Sequence, residues 1–175
     1  MEKNNKGYSL VEVIIVVAII AAIGLTAMLS VSLIFNANAR TCANDIAGAI
    51  SECKIMTMTK GQGNVRLILY RDGENGNIFY ELQTRESTSA SWETNNDGAQ
   101  KVGAGKCIVG SSDGANDLPD SPDTAWEIYF DRSTGALYTG TSSEIMDHGI
   151  YVVGGNRRYH IKIEKLTGKQ TLEKY

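Results

Sequence analysis

Few side chains in this 175-residue sequence have the type and spacing to do chemistry. The first is Glu12, a carboxylate between Val11 and Val13 at the edge of a long apolar run. At membrane depth such a group costs on the order of a few kcal/mol unless it is paired or snorkels to an interface, so it calls for a partner. Next come Cys42, Cys53 and Cys107, which form no CxxC pair and so exclude a zinc knuckle or a thioredoxin-like motif. His148 and His160 are the only histidines, and neither sits in metal or triad spacing. Gly154-Gly155 and Gly103-Ala104-Gly105 lack the strand-to-helix setting of a phosphate loop, and turns explain them. No residue earns a catalytic or metal-ligating role, and the chain is read as a non-enzyme.

Two charged segments remain. Asp113, Asp117, Asp120, Asp123, Glu127 and Asp131 fall in a span without lysine or arginine. Calcium takes several oxygen ligands from such loops, but the spacing is not the EF-hand order, and Pro119 and Pro122 suit an irregular solvated loop. The tail from Gly154 carries Arg157, Arg158, Lys162, Lys165, Lys169 and Lys174 against Glu164 and Glu173. On a strand, Arg158, His160 and Lys162 share one face, while Arg157, Tyr159 and Ile161 share the other. The first face is the better electropositive stripe and the candidate nucleic-acid contact. The favoured reading of the same charges is an edge strand guarded against aggregation. A net charge of -3 gives no reason to expect a dedicated polyanion binder.

The elements that must position these residues begin with the amino terminus, MEKNNKG, where Lys3 and Lys6 stand against Glu2. That is a cytoplasm-retained flank by the positive-inside rule. From Val13 to Phe35 follow 23 residues without a charge. As a helix they reach about 35 Å, enough to cross a hydrocarbon core of about 30 Å. The sequence therefore predicts a single-pass membrane helix with its amino end inside.

Gly7-Tyr8-Ser9-Leu10-Val11-Glu12, followed by VIIVVAIIAA, resembles the leader and amino-terminal helix of type IV prepilins and type II secretion pseudopilins. The resemblance implies that a prepilin peptidase cuts between Gly7 and Tyr8 and methylates the new amino group of Tyr8. It also implies assembly with other pilin or pseudopilin subunits on a membrane platform, giving a surface or periplasmic filament. In that filament Glu12 meets the amino group of a neighbouring subunit, each charge making the other tolerable and so specifying register. Tyr8 stands where Phe is commoner, and Leu29 stands where many major pilins carry a proline. Alternatives are a plain single-pass anchor of a membrane-bound binding protein and a secretory signal cut after Ala37-Asn38-Ala39, releasing a soluble head. The apolar run is about twice the length typical of such signals, and Glu12 has no purpose in one.

After Phe35 the pattern turns amphipathic, with Ala39, Cys42, Ala43, Ile46, Ala47, Ile50, Cys53, Ile55 and Met58 at three- and four-residue spacing. The helix is expected to run to about Thr59 and to be capped at Lys60-Gly61-Gln62-Gly63. Val65–Tyr70 and Ile78–Leu82 read as a hairpin through Asp72–Asn77, and one or two short strands are expected between Thr84 and Thr124. Trp126–Phe130, Ala136–Tyr138, Tyr151–Val153 and Tyr159–Glu164 read as further strands. The predicted organisation is a leader (1–7), a membrane and filament-core helix (8–35), an amphipathic continuation (36–60) and a β-rich extracytoplasmic head (61–175). The fold class is α+β and pilin-like, a long amino-terminal helix packed on an antiparallel sheet.

On such a helix Cys42 and Cys53 are about 16 Å apart and cannot bridge each other. In an exported head the candidate disulfide joins Cys107 to one of them, Cys53 being preferred as nearer the head; the alternative is three small buried residues. WEIYFDRSTGALYTG and RRYHIKIEKLTGKQTLEKY resemble the closing strands of minor pseudopilin heads of the H type, which implies a minor subunit. Some heads of that kind bind calcium, and competence minor pilins of similar type use basic tails to catch DNA.

Overall fold

The computed structural model describes residues 9–60, 63–95, 97–103 and 107–174, with the side chains of 25–32 left out. Residues 1–34 and 35–175 are two compact units. Helix α1, Leu10–Lys60, runs through the end of the first into the second.

Within the first unit α1 is apolar on every described side. Around the one carboxylate, Glu12, residues Leu10, Val11, Val13 to Val17, Ile19, Ile20 and Ile23 are each between 49% and 78% exposed. Valine and isoleucine are mediocre helix formers in water because their χ1 is restricted, but without competing water a helix satisfies every backbone group internally. Among the described residues no helix is long and apolar enough to cross a membrane. The uncharged run from Val13 to Phe35, expected to do so, includes positions 25–32, whose side chains lie outside the described set.

Within the second unit α1 buries Ala39, Cys42, Ala43, Ile46, Ala49, Ile50, Cys53 and Thr57. The Thr57 hydroxyl, though buried, donates to Cys53 O at 2.9 Å and so is satisfied. Ile55 and Met58, expected on this stripe, are 64% and 48% exposed. At about 100° per residue Ile55 sits on the far side from Cys53, and the stripe continues through Thr57 instead. The cap expected at Gly61 lies outside the described residues.

The head has two antiparallel sheets where one was expected. In the first, β1 (Val65–Arg71) pairs with β2 (Ile78–Thr84) in the register Val65↔Thr84 through Arg71↔Ile78. Its turn is closed by Asp72 N donating to Asn77 O (2.8 Å) and Gly76 N to Asp72 O (2.7 Å). The segment after it supplies β3 (Glu93–Thr94) and β4 (Gln100–Lys101), both on β2, and then β5 (Ile108–Gly110), one strand more than expected. β6 (Trp126–Ile128) closes the other side of β1. Val65, Leu67, Leu69, Leu82, Trp126 and Ile128 turn to the core shared with α1. On the outer face Trp92 lies 4.3 Å from the guanidinium carbons of both Arg66 and Arg85.

The second sheet orders β5, β7 (Ile150–Gly154), β8 (Arg157–Ile163) and β9 (Gln170–Lys174). Ala136–Tyr138, expected as a strand, forms instead an isolated bridge, Phe130↔Leu137, with further backbone hydrogen bonds to Asp131, Tyr129 and Lys165. Between them lies a six-residue helix, α2 (Ser143–His148), which the strand pattern did not suggest; it buries Ile145. Both sheets meet α1. Cys53 Sγ donates to Ile128 O at 3.8 Å, Lys54 Nζ to Thr167 O at 2.7 Å, and Asn156 N to Asn36 Oδ1 at 3.0 Å. The Gln170 amide lies 3.1 Å from Ser51 Oγ and 2.8 Å from Ala47 O.

Candidate assembly segment and head surfaces

Gly7 and Tyr8, the expected processing and methylation positions, lie outside the described residues. Glu12 occupies the first turn of α1, where a carboxylate complements the helix dipole. With Val13, Val16 and Val17 it lines a shallow groove of about 270 Å³. Among the described residues it has no ion-pair partner. The arrangement is a single anion on a wholly apolar helix surface. Chemically it can take up a cation that arrives with another apolar surface.

The stripe of Arg158, His160 and Lys162 does not form as expected. Arg158 is ion-paired with Asp113. His160 is 8% exposed, stacks on Tyr151 with centroids 4.1 Å apart, and has Nε2 2.7 Å from His148 O. Arg158 stays exposed but paired, and Lys162 is the exposed charge of the three with no ion pair among the described residues. His160 is thus packed against the Tyr151 ring and the backbone of His148, which is itself exposed. Alternation on β8 and the return of β9 place Arg157 and Lys174 beside Arg40 of α1 instead. These three cations line an open cavity of about 550 Å³ with Asn36, Asn44 and Tyr159, and none has an ion-pair partner among the described residues. Sequence reasoning missed this cluster because its members are remote in the chain; the exposed polar face of α1 was the signal that could have found Arg40.

The acidic segment is dispersed. Asp113 pairs with Arg158, Asp120 with Arg71 at 3.3 Å and Glu127 with Arg66. Burial pushes the Asp117 carboxyl up, but the hydroxyl and amide of Ser111 outweigh it and hold it below its ordinary value. Asp131 Oδ1 accepts from the hydroxyls and amides of Ser133 and Thr134, which hold its carboxyl at about 2. Among the described residues no three His, Cys, Asp or Glu side chains are placed together to hold a metal ion.

All three cysteines are buried and unbridged. Cys53, the preferred partner of Cys107, is turned to Ile128 on the first sheet, and burial pushes its thiol up to about 12. It is Cys42 that reaches Cys107. The two thiol groups share a hydrogen bond, which together with burial raises Cys42 far above the ordinary range; the same bond lowers Cys107 against the opposing effect of burial.

The family profile described as "Prokaryotic N-terminal methylation motif" matches residues 3–28. No curated protein and no solved structure matches the chain. The profile match supports a type IV prepilin-like chain, and it covers the groove that holds Glu12.

Proposed function

We propose that this chain is made as a prepilin and works as a structural subunit, of minor abundance, in a type IV pilus or pseudopilus. In this reading a prepilin peptidase cuts between Gly7 and Tyr8 and methylates the new amine. Residues 8–35 hold the protein in the cytoplasmic membrane as a single span until the assembly platform passes it to a filament. The head then stands outside the membrane. The observation that carries the reading is the exposure of five consecutive apolar residues, Val13 to Val17, each 49% to 59% accessible. Five residues exceed a full helical turn, so no side of this segment is left to face water. Lipid first and neighbouring helices later are the surroundings such a surface fits. The motif match and the lone anion at Glu12 support the same reading.

The test is amino-terminal sequencing of protein extracted from membranes with and without the peptidase. N-methylated Tyr8 is expected with it and Met1 without it. A mature chain beginning at Arg40 would replace the reading with that of a released secretory protein. The minor role rests on the likeness of the closing strands to minor pseudopilin heads, and subunit counting in purified filaments tests it. A second reading, contact with a polyanion, is favoured by the cleft of Arg40, Arg157 and Lys174. Phosphate contacts there would be sequence-blind and salt-sensitive. Charge reversal at Arg157 and Lys174 should then abolish DNA retention at low salt, and unchanged retention would remove that reading.

A further inference from the structure

Cys42 is fully buried on α1. Three residues on, Asp45 Oδ2 accepts a hydrogen bond from Gly103 N at 2.9 Å. That bond pins the segment after β4 across the helix so closely that a Cβ on Gly103 would lie 3.3 Å from Cys42 Cβ. Cys107, the residue before β5, hydrogen-bonds the Cys42 thiol, and the two join one apolar cluster with Val102 and Val109. Cys107 is 9% exposed and lines an open cavity of about 420 Å³ with Ile108, Val153 and Gly154. Of the two sulfurs, Cys107 is the one an external reagent can reach.

We propose that Cys42 and Cys107 are a redox pair that closes to a disulfide in the exported protein, tying α1 to the edge of the second sheet, with Cys53 as a permanent free thiol. The location of the head outside the cytoplasm rests on the function proposed above, since disulfides persist in oxidising compartments. The oxidant is an external disulfide, a dithiol oxidase of the extracytoplasmic compartment or oxidised glutathione. Cys107 thiolate attacks one of its sulfurs, forming a mixed disulfide and expelling the other sulfur as a thiolate. Cys42 then gives up its proton and attacks Cys107 Sγ, forming the protein disulfide and expelling the remaining sulfur of the oxidant. Two protein thiols are oxidised, one external disulfide is reduced to two thiols, and the two protons end on them. The order of attack follows from access, as Cys42 is sealed until Cys107 has reacted. Cys53 stays out because its sulfur faces Ile128 on the first sheet and stands three helical turns from Cys42.

The experiment uses the full chain in detergent. Protein extracted without reductant is blocked with a maleimide, denatured, digested and mapped by mass. A Cys42–Cys107 linked peptide is expected, with Cys53 labelled only after denaturation. The reduced and refolded chain, given oxidised glutathione, should pass from three titratable thiols to one. Cys53→Ala should leave the link in place, and Cys42→Ala should leave Cys107 open to alkylation in the native protein. The proposal is overturned if the folded chain yields no such peptide under oxidised glutathione, or if the link formed contains Cys53. The amino-terminal residue read from the same sample decides the prepilin reading separately. Tyr8 with no link sinks the pair alone, whereas an uncut chain that still closes the link in glutathione sinks the prepilin reading alone.

Discussion

Alanine at Gly168 should cost the head about 2 to 4 kcal/mol, and alanine at Gly76 no more than about 1.6. Both glycines are in the left-handed region, with φ of +59° and +66°. For an L residue that conformation costs roughly 1 to 2 kcal/mol, offset by about 0.4 to 1 through the stiffer unfolded chain. Gly76 has nothing within 4 Å of its would-be Cβ, so that balance is its whole cost. At Gly168 the same atom would stand 2.0 Å from Gly135 O and 2.9 Å from the Phe130 ring. The turn must therefore withdraw from the core, which adds the roughly 1 to 3 kcal/mol of an overpacked site. The withdrawal also strains the hydrogen bonds from Gly168 N to Glu164 O (2.7 Å) and from Lys54 Nζ to Thr167 O (2.7 Å), the second of which clasps this turn to α1. For a domain of this size each kcal/mol is about 4 °C in melting temperature, so Gly168→Ala should melt about 8 to 15 °C low. Thermal unfolding of the full chain in detergent, followed by circular dichroism, reads the difference. Equal melting temperatures for the two variants would refute the contact between the turns at 131–135 and 164–168.

Glu12→Gln should lower filament yield by about 100-fold or more, because an amine left unpaired in an apolar core costs about 3 to 5 kcal/mol; immunoblotting of sheared filaments checks it, and yield within twofold of the parent would contradict the pairing. Asp131 contributes stability that is fully present above its unfolded value near 3.9 and is lost as pH falls through about 2. Denaturant titrations should therefore show a smaller fall between about pH 4 and pH 2 in Asp131→Asn than in the parent, and parallel curves would exclude the turn hydrogen bonds as the cause. Trp92→Ala removes the stack on Arg66 and Arg85 and the ring contact with Tyr129, and should cost about 2 kcal/mol in urea unfolding, with Trp92→Phe recovering most of it.

The chain order of residues was enough for whatever depends on short range. A carboxylate at Glu12 beside an uncharged run, the hairpin about Asp72–Asn77 and the amphipathic turn of pattern after Phe35 are all local, and the hairpin appears in the register its turn demands. Strand alternation likewise separated Arg157 from Arg158 correctly. What alternation could not supply was the neighbour across the gap. Arg158 meets Asp113, and Arg157 meets Arg40 and Lys174, only because β8 lies between β7 and β9 and alongside α1. The cysteine partner was decided in the same way. Cys53 is nearer the head in sequence, yet the bond from Gly103 to Asp45 carries the chain over Cys42. Closing so long a loop costs little more entropy than closing a shorter one, so distance along the chain was a poor guide and side-chain packing against the helix chose the pair.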